Sequence, residues 1–245
     1  MKKKIIISAL LSIFLILLFV ISLYAYQDNK GAKSSEVISD LQGTLFYIER
    51  VDGVRTLFKS DAELKSKTLI YSHKGKGKDN SGGYNDNISN FYYEKASKTI
   101  YFTAMDNGSW SLFSIKEGEN KPVLLQNQNM EINTDYIHNQ FNDLTATNKQ
   151  GSLYLLKNGR ETLINQFNGI YYSTFTGYAP IGFSPDGRFL VYYSREHVTP
   201  FGTLLEEFIK GSAESAGRTY IMDLSTMKSA RFIDAYVYEI QWVFD

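Results

Sequence analysis

One stretch decides the fold: Gly182-Phe183-Ser184-Pro185-Asp186-Gly187-Arg188-Phe189-Leu190-Val191-Tyr192-Tyr193-Ser194. It has the form of a strand, a tight turn and a second strand, because Pro185 sets φ for the second position of a type I turn and Gly187 permits a positive φ at the exit. Alternate residues of the second strand point to opposite faces, with Phe189, Val191 and Tyr193 on one and Leu190 and Tyr192 on the other. Since neither face is polar, we predict that this strand lies between other layers of the protein.

The same form recurs earlier in the chain. The segment from Ile88 to Thr103 also has an apolar strand, a polar turn and a strand of bulky residues. In both places a third strand follows (Ser109 to Ile115 and Arg218 to Leu224), and then a fourth (Pro122 to Leu125 and Ala230 to Ile233). Four strands per unit is the blade of a β-propeller, so the repeat predicts an all-β fold of this kind.

Laid along the whole chain, the four-strand unit predicts four blades. Residues 88–126 and 178–234 make two complete units, and a degraded third unit lies at 134–166. The ends of the chain hold complementary parts: Thr44 to Ser72 supplies strands two, three and four, and Val237 to Phe244 supplies only strand one. We therefore expect the C-terminal strand to complete the N-terminal blade, which closes the ring and removes an exposed sheet edge. If the terminal strand is misread, a five-bladed or open structure is the alternative.

The turn and its second strand resemble the Pro-Asp repeat of TolB-like and related WD40-like propellers. The resemblance is strong from Phe183 to Val191, in one blade. It is weak at 88–126, where Glu94 to Lys98 replaces the Ser-Pro-Asp-Gly turn, and at the C-terminus, where Trp242 to Asp245 keeps only the strand. The resemblance implies a propeller used for binding proteins or small ligands, and it supplies no catalytic residues.

The first 26 residues are predicted to lie outside the globular fold. Lys2, Lys3 and Lys4 precede an uncharged apolar run from Ile5 to about Tyr26, long enough for a membrane span of roughly 20 residues. Leu23 fits poorly at the third position before a cut after Ala25, which favours a transmembrane signal anchor over a cleaved signal peptide. We expect a single-pass cell-membrane protein with a cytoplasmic N-terminus, a polar stalk at 27–42 and an extracytoplasmic domain at 43–245. Secretion after signal cleavage is the alternative.

Composition excludes some partners and some means of stabilisation. The chain has 26 basic and 26 acidic residues; without the three N-terminal lysines, 23 basic residues face 26 acidic ones, a net charge of about −3. This balance argues against nucleic acid as a partner. The chain has no cysteine, so stability must come from burial, for which 18 Tyr, 16 Phe and 2 Trp offer large areas.

The long connections of the predicted propeller fall on one face. They are 73–87, 126–133, 168–177 and 195–217. Because loops on a rigid scaffold concentrate binding residues, we predict a partner- or ligand-binding face here. The candidate binding residues are Tyr84, Trp110, Tyr171, Tyr172, Tyr178, Leu204 and Phe208. Aromatic rings at such a face can stack on sugars or anchor a peptide, although most rings of so aromatic a chain belong to its core.

The 195–217 connection contains a predicted helix. Thr203 and Glu206 fit a capping box, and the residues between and after them form an apolar stripe that includes Leu204 and Phe208. Two interpretations stay open: the helix binds a partner, or its stripe packs onto the propeller.

The glycine-rich loop at 74–87 is interpreted as a solvated connector, because its Asp and Asn residues lack the spacing of a calcium loop.

The sequence offers little for catalysis. His73, His138 and His197 are scattered, and the chain has neither a His-Glu-x-x-His spacing nor a Gly-x-Ser-x-Gly motif. We expect no cofactor and no metal.

The predicted function is a membrane-anchored extracytoplasmic binding or scaffold module with a protein partner in the cell envelope. A propeller that binds a glycan or small molecule is the alternative, and a propeller hydrolase is a third hypothesis.

Overall fold

The computed structural model describes residues 11–22, 40–51, 54–72, 88–106, 109–126, 140–171, 176–195, 217–233 and 237–244. Within these ranges the regular structure is strand apart from one helix at 11–22, which confirms the all-β class. The sixteen strands of the described chain are β1 Thr44–Val51, β2 Val54–Asp61, β3 Lys67–Ser72, β4 Ile88–Glu94, β5 Thr99–Asp106, β6 Ser109–Lys116, β7 Val123–Gln126, β8 Gln140–Phe141, β9 Leu144–Lys149, β10 Ser152–Lys157, β11 Arg160–Asn165, β12 Tyr178–Phe183, β13 Phe189–Ser194, β14 Arg218–Asp223, β15 Lys228–Ile233 and β16 Val237–Val243.

In the described part of the chain these strands form four antiparallel sheets of four strands each. Sheet 2 (β4 to β7), sheet 3 (β8 to β11) and sheet 4 (β12 to β15) follow the order of the chain. Sheet 1 has the order β16-β1-β2-β3, with Thr44 opposite Val243 and Tyr47 opposite Ile240. The C-terminal strand therefore completes the N-terminal sheet, as the two partial units predicted.

Buried side chains fill the space between neighbouring sheets. Sheets 1 and 4 share one core, sheets 1 and 2 share a second, and sheets 3 and 4 share a third. Strand β13 contributes side chains to two of these cores. Phe189, Val191 and Tyr193 pack in the core shared by sheets 1 and 4. Leu190 and Tyr192 pack in the core shared by sheets 3 and 4. Every residue of β13 is buried, which confirms that this strand lies between other layers.

The shared cores place sheet 1 between sheets 2 and 4, and sheet 4 between sheets 1 and 3. One edge strand of each sheet lies toward its neighbours, since β16 contacts β4 and β12, and β12 contacts β8. Among the described residues no buried cluster joins sheet 2 to sheet 3. The described packing is thus a series in the order 2-1-4-3.

Side chains on β16 also bond to the backbone of sheet 2. Gln241 donates from Nε2 to the Tyr93 carbonyl (2.9 Å), and its Oε1 accepts from the Tyr93 N–H (2.7 Å). Glu239 Oε2 accepts from the Phe91 N–H (2.9 Å). These bonds satisfy backbone groups on the edge of β4 where no strand of the described chain pairs with it, so they lock sheet 2 onto sheet 1.

Hydrogen bonds between connections define two ends of the fold. At one end the first-to-second and third-to-fourth connections of a sheet meet, as where the Leu224 N–H donates to the Arg188 carbonyl (2.9 Å). We call this the short-link end. At the opposite end the Arg195 N–H donates to the Gly177 carbonyl (2.8 Å), which joins the start of the 195–217 connection to the link between sheets 3 and 4. We call this the long-link end.

Residues 11–22 form a helix whose apolar side chains are nearly all exposed. No helix in the described ranges is both long enough and apolar enough to cross a membrane. The predicted anchor also includes residues 1–10 and 23–26, which lie outside those ranges, as do residues 27–39 of the predicted stalk. Packing begins slightly before the predicted boundary at 43, because Leu41 is buried in the core between sheets 1 and 4.

Candidate functional site

The turn from Ser184 to Gly187 lies at the short-link end and is held by its own polar groups. The Gly187 N–H donates to the Ser184 carbonyl (2.9 Å), and Asp186 Oδ1 accepts from the Ser184 hydroxyl (2.5 Å) and the Arg188 N–H (3.0 Å). Gly187 has a φ of 70°, in agreement with the predicted turn. Because its carboxylate is bonded within the turn, Asp186 serves to form the turn.

Next to this turn, Arg188 and Asp223 form an ion pair. Arg188 donates to Asp223 Oδ2 from Nη2 (2.8 Å) and Nε (3.2 Å), and Ser225 donates to Asp223 Oδ1 from its hydroxyl (2.6 Å) and its N–H (2.8 Å). Burial alone raises the pKa of Asp223, but the bonds from Ser225 and Arg188 outweigh it and lower that pKa from 3.8 to about 2. All of its partners belong to sheet 4, so we interpret this pair as structural.

Three of the predicted binding residues lie in the described chain. Trp110 is half-buried on β6, next to the long-link end of sheet 2. Tyr171 is exposed and follows β11. The Tyr178 ring is buried between sheets 3 and 4 and tilted against Tyr192, with ring centroids 6.0 Å apart, so we assign Tyr178 to the core. Four predicted residues lie outside the described ranges: Tyr84, Tyr172, Leu204 and Phe208.

An exposed apolar pair lies on the link between sheets 3 and 4. Ile170 is 84% exposed and Tyr171 is 42% exposed. This link runs from the end of β11 to Gly177, where it meets the 195–217 connection at the long-link end. The pattern of the sequence selected Tyr171 for its ring but gave no reason to select Ile170, because an isoleucine between glycine and tyrosine looks like a core residue.

A cleft of about 710 Å³ opens between sheets 1 and 2 at the short-link end. Sheet 1 contributes the start of β1, the end of β2 and the start of β3, and sheet 2 contributes the start of β5 and the β6–β7 turn. The lining residues are Gly43, Thr44, Lys59, Ser60, Asp61, Ser66, Thr68, Leu69, Ile70, Ile100, Glu117, Gly118, Glu119 and Asn120. This volume lies within the range of small-molecule sites in proteins.

An ion pair joins the two sheets across the cleft. The Lys59 ammonium of sheet 1 contacts Glu117 Oε1 of sheet 2, and the Tyr93 hydroxyl donates to Glu117 Oε2 (2.9 Å). The bond from Lys59 is the main reason that the pKa of Glu117 is lowered; the Tyr93 bond adds to it, and both outweigh the opposing effect of burial. The Tyr93 ring stacks on Phe46, with centroids 4.0 Å apart, which fixes the hydroxyl in place.

Asp61 lies on the sheet 1 side of the cleft. Its Oδ2 accepts from the Ser66 hydroxyl (2.6 Å), and its Oδ1 accepts from the Lys65 N–H (2.8 Å). The Ser66 bond is the largest cause of the lowered pKa of Asp61. Glu119 and Asn120 are exposed on the β6–β7 turn opposite. The cleft is therefore lined by one lysine and three carboxylates.

The sequence did not predict this cleft, because its residues come from two successive sheets and from strand ends that carry no motif. One signal was present. Lys59 and Glu117 have opposite charges. Lys59 lies near the end of β2 and Glu117 directly follows β6, and the four-strand repeat brings the ends of these third strands to the same end of the fold. Within the described ranges no group of three or more His, Cys, Asp or Glu residues is placed to hold a metal ion, and all three histidines lie outside those ranges.

No protein-family model matches the chain, and no curated protein sequence matches it. Among solved structures it is similar to a nidogen/laminin complex, with 12% identity, a TM-score of 0.26, and coverage of 80% of this chain and 63% of the other. It is also similar to a protein assigned as TolB from Agrobacterium tumefaciens, with 12% identity, a TM-score of 0.25, and coverage of 78% and 62%. A third is a puromycin-hydrolysing peptidase from Mycobacterium tuberculosis, with 12% identity, a TM-score of 0.22, and coverage of 86% and 34%. The chain spans just under two thirds of the length of the first two, and similarities of this size carry no argument about its activity.

Proposed function

We propose that this protein is a membrane-anchored, extracytoplasmic β-propeller of four blades that acts as a binding or scaffold module. It engages a protein partner of the cell envelope through its long-link end. The observation that carries the proposal is the exposed pair Ile170 and Tyr171 on a long connection between two rigid sheets. Binding residues concentrate on loops of this kind.

The propeller architecture is supported by the arrangement of the sheets. Each is a four-stranded antiparallel sheet, and the strands β16, β4 and β12 from three sheets lie next to one another as the inner strands of successive blades do. Completion of the first sheet by the last strand is the means of closure that the partial units predicted. The turn around Asp186 is the feature that resembles TolB-like repeats.

Partner binding is supported by the chemistry of the exposed pair. An isoleucine and a tyrosine side by side offer apolar area and a hydroxyl, a combination suited to the core of a protein–protein interface. Both residues lie on the same end as the 195–217 connection, whose predicted helix with Leu204 and Phe208 would extend the surface. The whole surface is therefore built from connections, while the strands beneath it hold it in position.

Membrane anchoring is supported by the helix at 11–22. Its exposed apolar side chains cover the whole circumference, which suits a lipid environment better than water. The lysines at positions 2 to 4 favour a cytoplasmic N-terminus. Alkaline carbonate extraction tests this part of the proposal: an anchored chain stays in the membrane pellet, and release into the supernatant would leave only the secreted alternative.

Site-specific photocrosslinking in intact cells tests the partner. A photoreactive phenylalanine derivative replaces Ile170 in one variant and Met227 in a second; Met227 is 46% exposed at the short-link end and serves as the matched control. We expect a discrete crosslinked product from position 170 and none from position 227. Adding Tyr171→Asp to the first variant should remove the product, because a charge in the centre of the contact opposes burial of the apolar surface.

Two results would contradict the proposal. One is the same products from both positions, and the other is a product from position 170 that Tyr171→Asp leaves unchanged. The free energy of unfolding of each variant is measured alongside, so that loss of the product is not confused with loss of the fold. Leu204→Asp and Phe208→Asp then test the predicted helix: loss of the product without unfolding supports partner binding, whereas unfolding shows that the helix packs onto the propeller.

A second candidate function is the binding of a glycan or small ligand. The cleft between sheets 1 and 2 is the observation that favours it, since its volume and its mixture of polar groups suit a small molecule. This candidate uses the opposite end of the fold from Ile170. The two functions are therefore compatible with each other and separable by experiment.

A further inference from the structure

We propose that the cleft between sheets 1 and 2 binds a neutral saccharide. This proposal does not rest on the protein partner, because the cleft lies at the short-link end and shares no residue with the surface around Ile170. Its volume of about 710 Å³ is sufficient for an oligosaccharide segment. The charges, the unused hydrogen-bonding capacity and the apolar wall of the cleft each limit the class of ligand.

The charges disfavour an anionic ligand. Lys59 is the only cation among the lining residues of the described cleft, which also include Asp61, Glu117 and Glu119. Asp61 and Glu117 are held in their ionised forms by the hydrogen bonds that they accept. A phosphate or carboxylate group would meet like charge on both walls, and such a contact is unfavourable.

The contacts of Lys59 disfavour a cationic ligand as well. Its ammonium group already neutralises Glu117 across the cleft, and a second cation would lie beside it. Asp61 already accepts from the Ser66 hydroxyl and the Lys65 N–H, so part of its acceptor capacity is taken before any ligand binds. Asp61 and Glu119 both present a carboxylate near solvent, on the same cleft as the Lys59 ammonium group.

A polyhydroxylated neutral ligand fits the capacity that remains. Each carboxylate has about four acceptor sites and an ammonium group has three donors, so Lys59, Asp61 and Glu117 keep unused sites after the bonds described above. Thr68 and Asn120 add a hydroxyl and an amide, which both donate and accept. A sugar hydroxyl also donates and accepts, and can therefore match either kind of site.

The apolar wall supplies the second requirement of sugar binding. Leu69 of β3 lines the same cleft with 58% of its surface exposed, and with the partly buried Ile70 it offers an aliphatic surface for the C–H face of a pyranose ring. At the mouth, a side chain on Gly118 would meet no atom within 4 Å, so the β6–β7 turn leaves room above the cleft. An oligosaccharide can thus lie across the two sheets with further sugar units extending past this turn.

Isothermal titration calorimetry of the full-length protein tests the proposal. The probes are four neutral trisaccharides, built from glucose, mannose, galactose or N-acetylglucosamine, with spermidine and inorganic phosphate as charged probes. We expect at least one trisaccharide to bind at millimolar concentration or below, and neither charged probe to compete with it. Binding of spermidine or phosphate at the same place, or no binding by any trisaccharide, would overturn the assignment.

Two variants locate the binding site. Asn120→Ala removes an exposed amide of the cleft and should weaken binding about tenfold, as expected for one lost hydrogen bond. Asn168→Ala, an exposed asparagine at the long-link end, is the matched control and should leave affinity unchanged. Thr68→Trp fills the cleft from the exposed strand β3, opposite Lys59, and should abolish binding. Binding that survives both Asn120→Ala and Thr68→Trp lies elsewhere and overturns the proposal.

Discussion

Asp223 remains charged although only 4% of its surface is exposed. Four hydrogen bonds from Arg188 and Ser225 replace the water that burial removes, and they outweigh the cost of burial. The folded state therefore binds a proton on this carboxyl less readily than the unfolded chain does. Since the pKa falls from 3.8 to about 2 on folding, the group contributes stability above pH 4 and loses that contribution as the pH falls toward 2.

Asp223→Asn tests this contribution. We expect the free energy of unfolding at pH 7 to fall by about 2 kcal/mol, and the difference from the natural chain to shrink as the pH is lowered from 4 to 2. Urea denaturation at several pH values measures it. Asp143→Asn changes an exposed carboxylate and is the control, with an expected change within about 0.5 kcal/mol. A difference for Asp223→Asn that stays constant with pH would contradict this account.

At the residue scale, the sequence predicted roles that depend on neighbouring residues well, and roles that depend on residues far away in the chain poorly. The role of Asp186 as a turn-former follows from its immediate neighbours Pro185 and Gly187, and the structure confirms it. The partner of Asp223 is 35 residues away, so no local pattern indicated it. Tyr178 was selected as a surface aromatic, yet its ring is buried, because strands covered on both faces give no alternation that separates inner from outer residues.

At the element scale, turn residues set the boundaries of the strands. Within the third unit, which was predicted at 134–166, the turn residues Asn158 and Gly159 separate β10 from β11. The bonds by which Gln241 satisfies the edge of β4 were not predictable, since they join strands of different units. The cleft is likewise absent from the strand pattern, because it arises where two sheets diverge.

Gly187 and Gly159 form a matched pair for testing a turn. Both have positive φ, of 70° and 74°, but a Cβ on Gly187 would lie 2.4 Å from the Phe141 ring of sheet 3, whereas one on Gly159 would meet nothing within 4 Å. We expect Gly159→Ala to cost about 1 kcal/mol from backbone strain alone. Gly187→Ala should cost about 2–3 kcal/mol, because the ring must also move.

The free energy of unfolding, measured in urea, distinguishes the two costs. Adding Phe141→Leu to Gly187→Ala should recover part of the loss, because the smaller side chain makes room for the new methyl group. Equal losses at the two glycines would show that the contact with Phe141 has no energetic effect. The comparison therefore separates the conformation of the turn from its packing against the next sheet.

At the scale of the whole molecule, sheet 1 connects the other sheets. It shares one core with sheet 2 and another with sheet 4, and β16 supplies Val237, Ile240 and Trp242 to the second of these. The predicted pairing of the chain ends succeeded because three strands near one end and one strand near the other together make a complete four-strand unit. The contents of the long connections were not predictable to the same degree, because a solvent-facing loop is not constrained by a repeating pattern.

Deleting residues 237–245 tests the importance of the pairing between β16 and β1. We expect the shortened chain to lose its cooperative unfolding transition, because β1 loses one of its two neighbours and two inter-sheet contacts lose their side chains. A chain that ends at Val243 keeps β16 complete and is the control. Circular dichroism during thermal unfolding measures the transition. A cooperative transition in the chain that lacks residues 237–245 would show that the other sheets are stable without the pairing of β16 with β1.

The pairing of Thr44 with Val243 also determines when the chain can fold during its synthesis. The first strand emerges from the ribosome with its partner still untranslated, so sheet 1 stays incomplete until residues 237–243 have been added. Contacts between such distant residues make folding slow. Every premature stop before position 237 therefore yields a product in which β1 has an open edge that proteases can attack, and translation through position 243 becomes a condition for a stable protein.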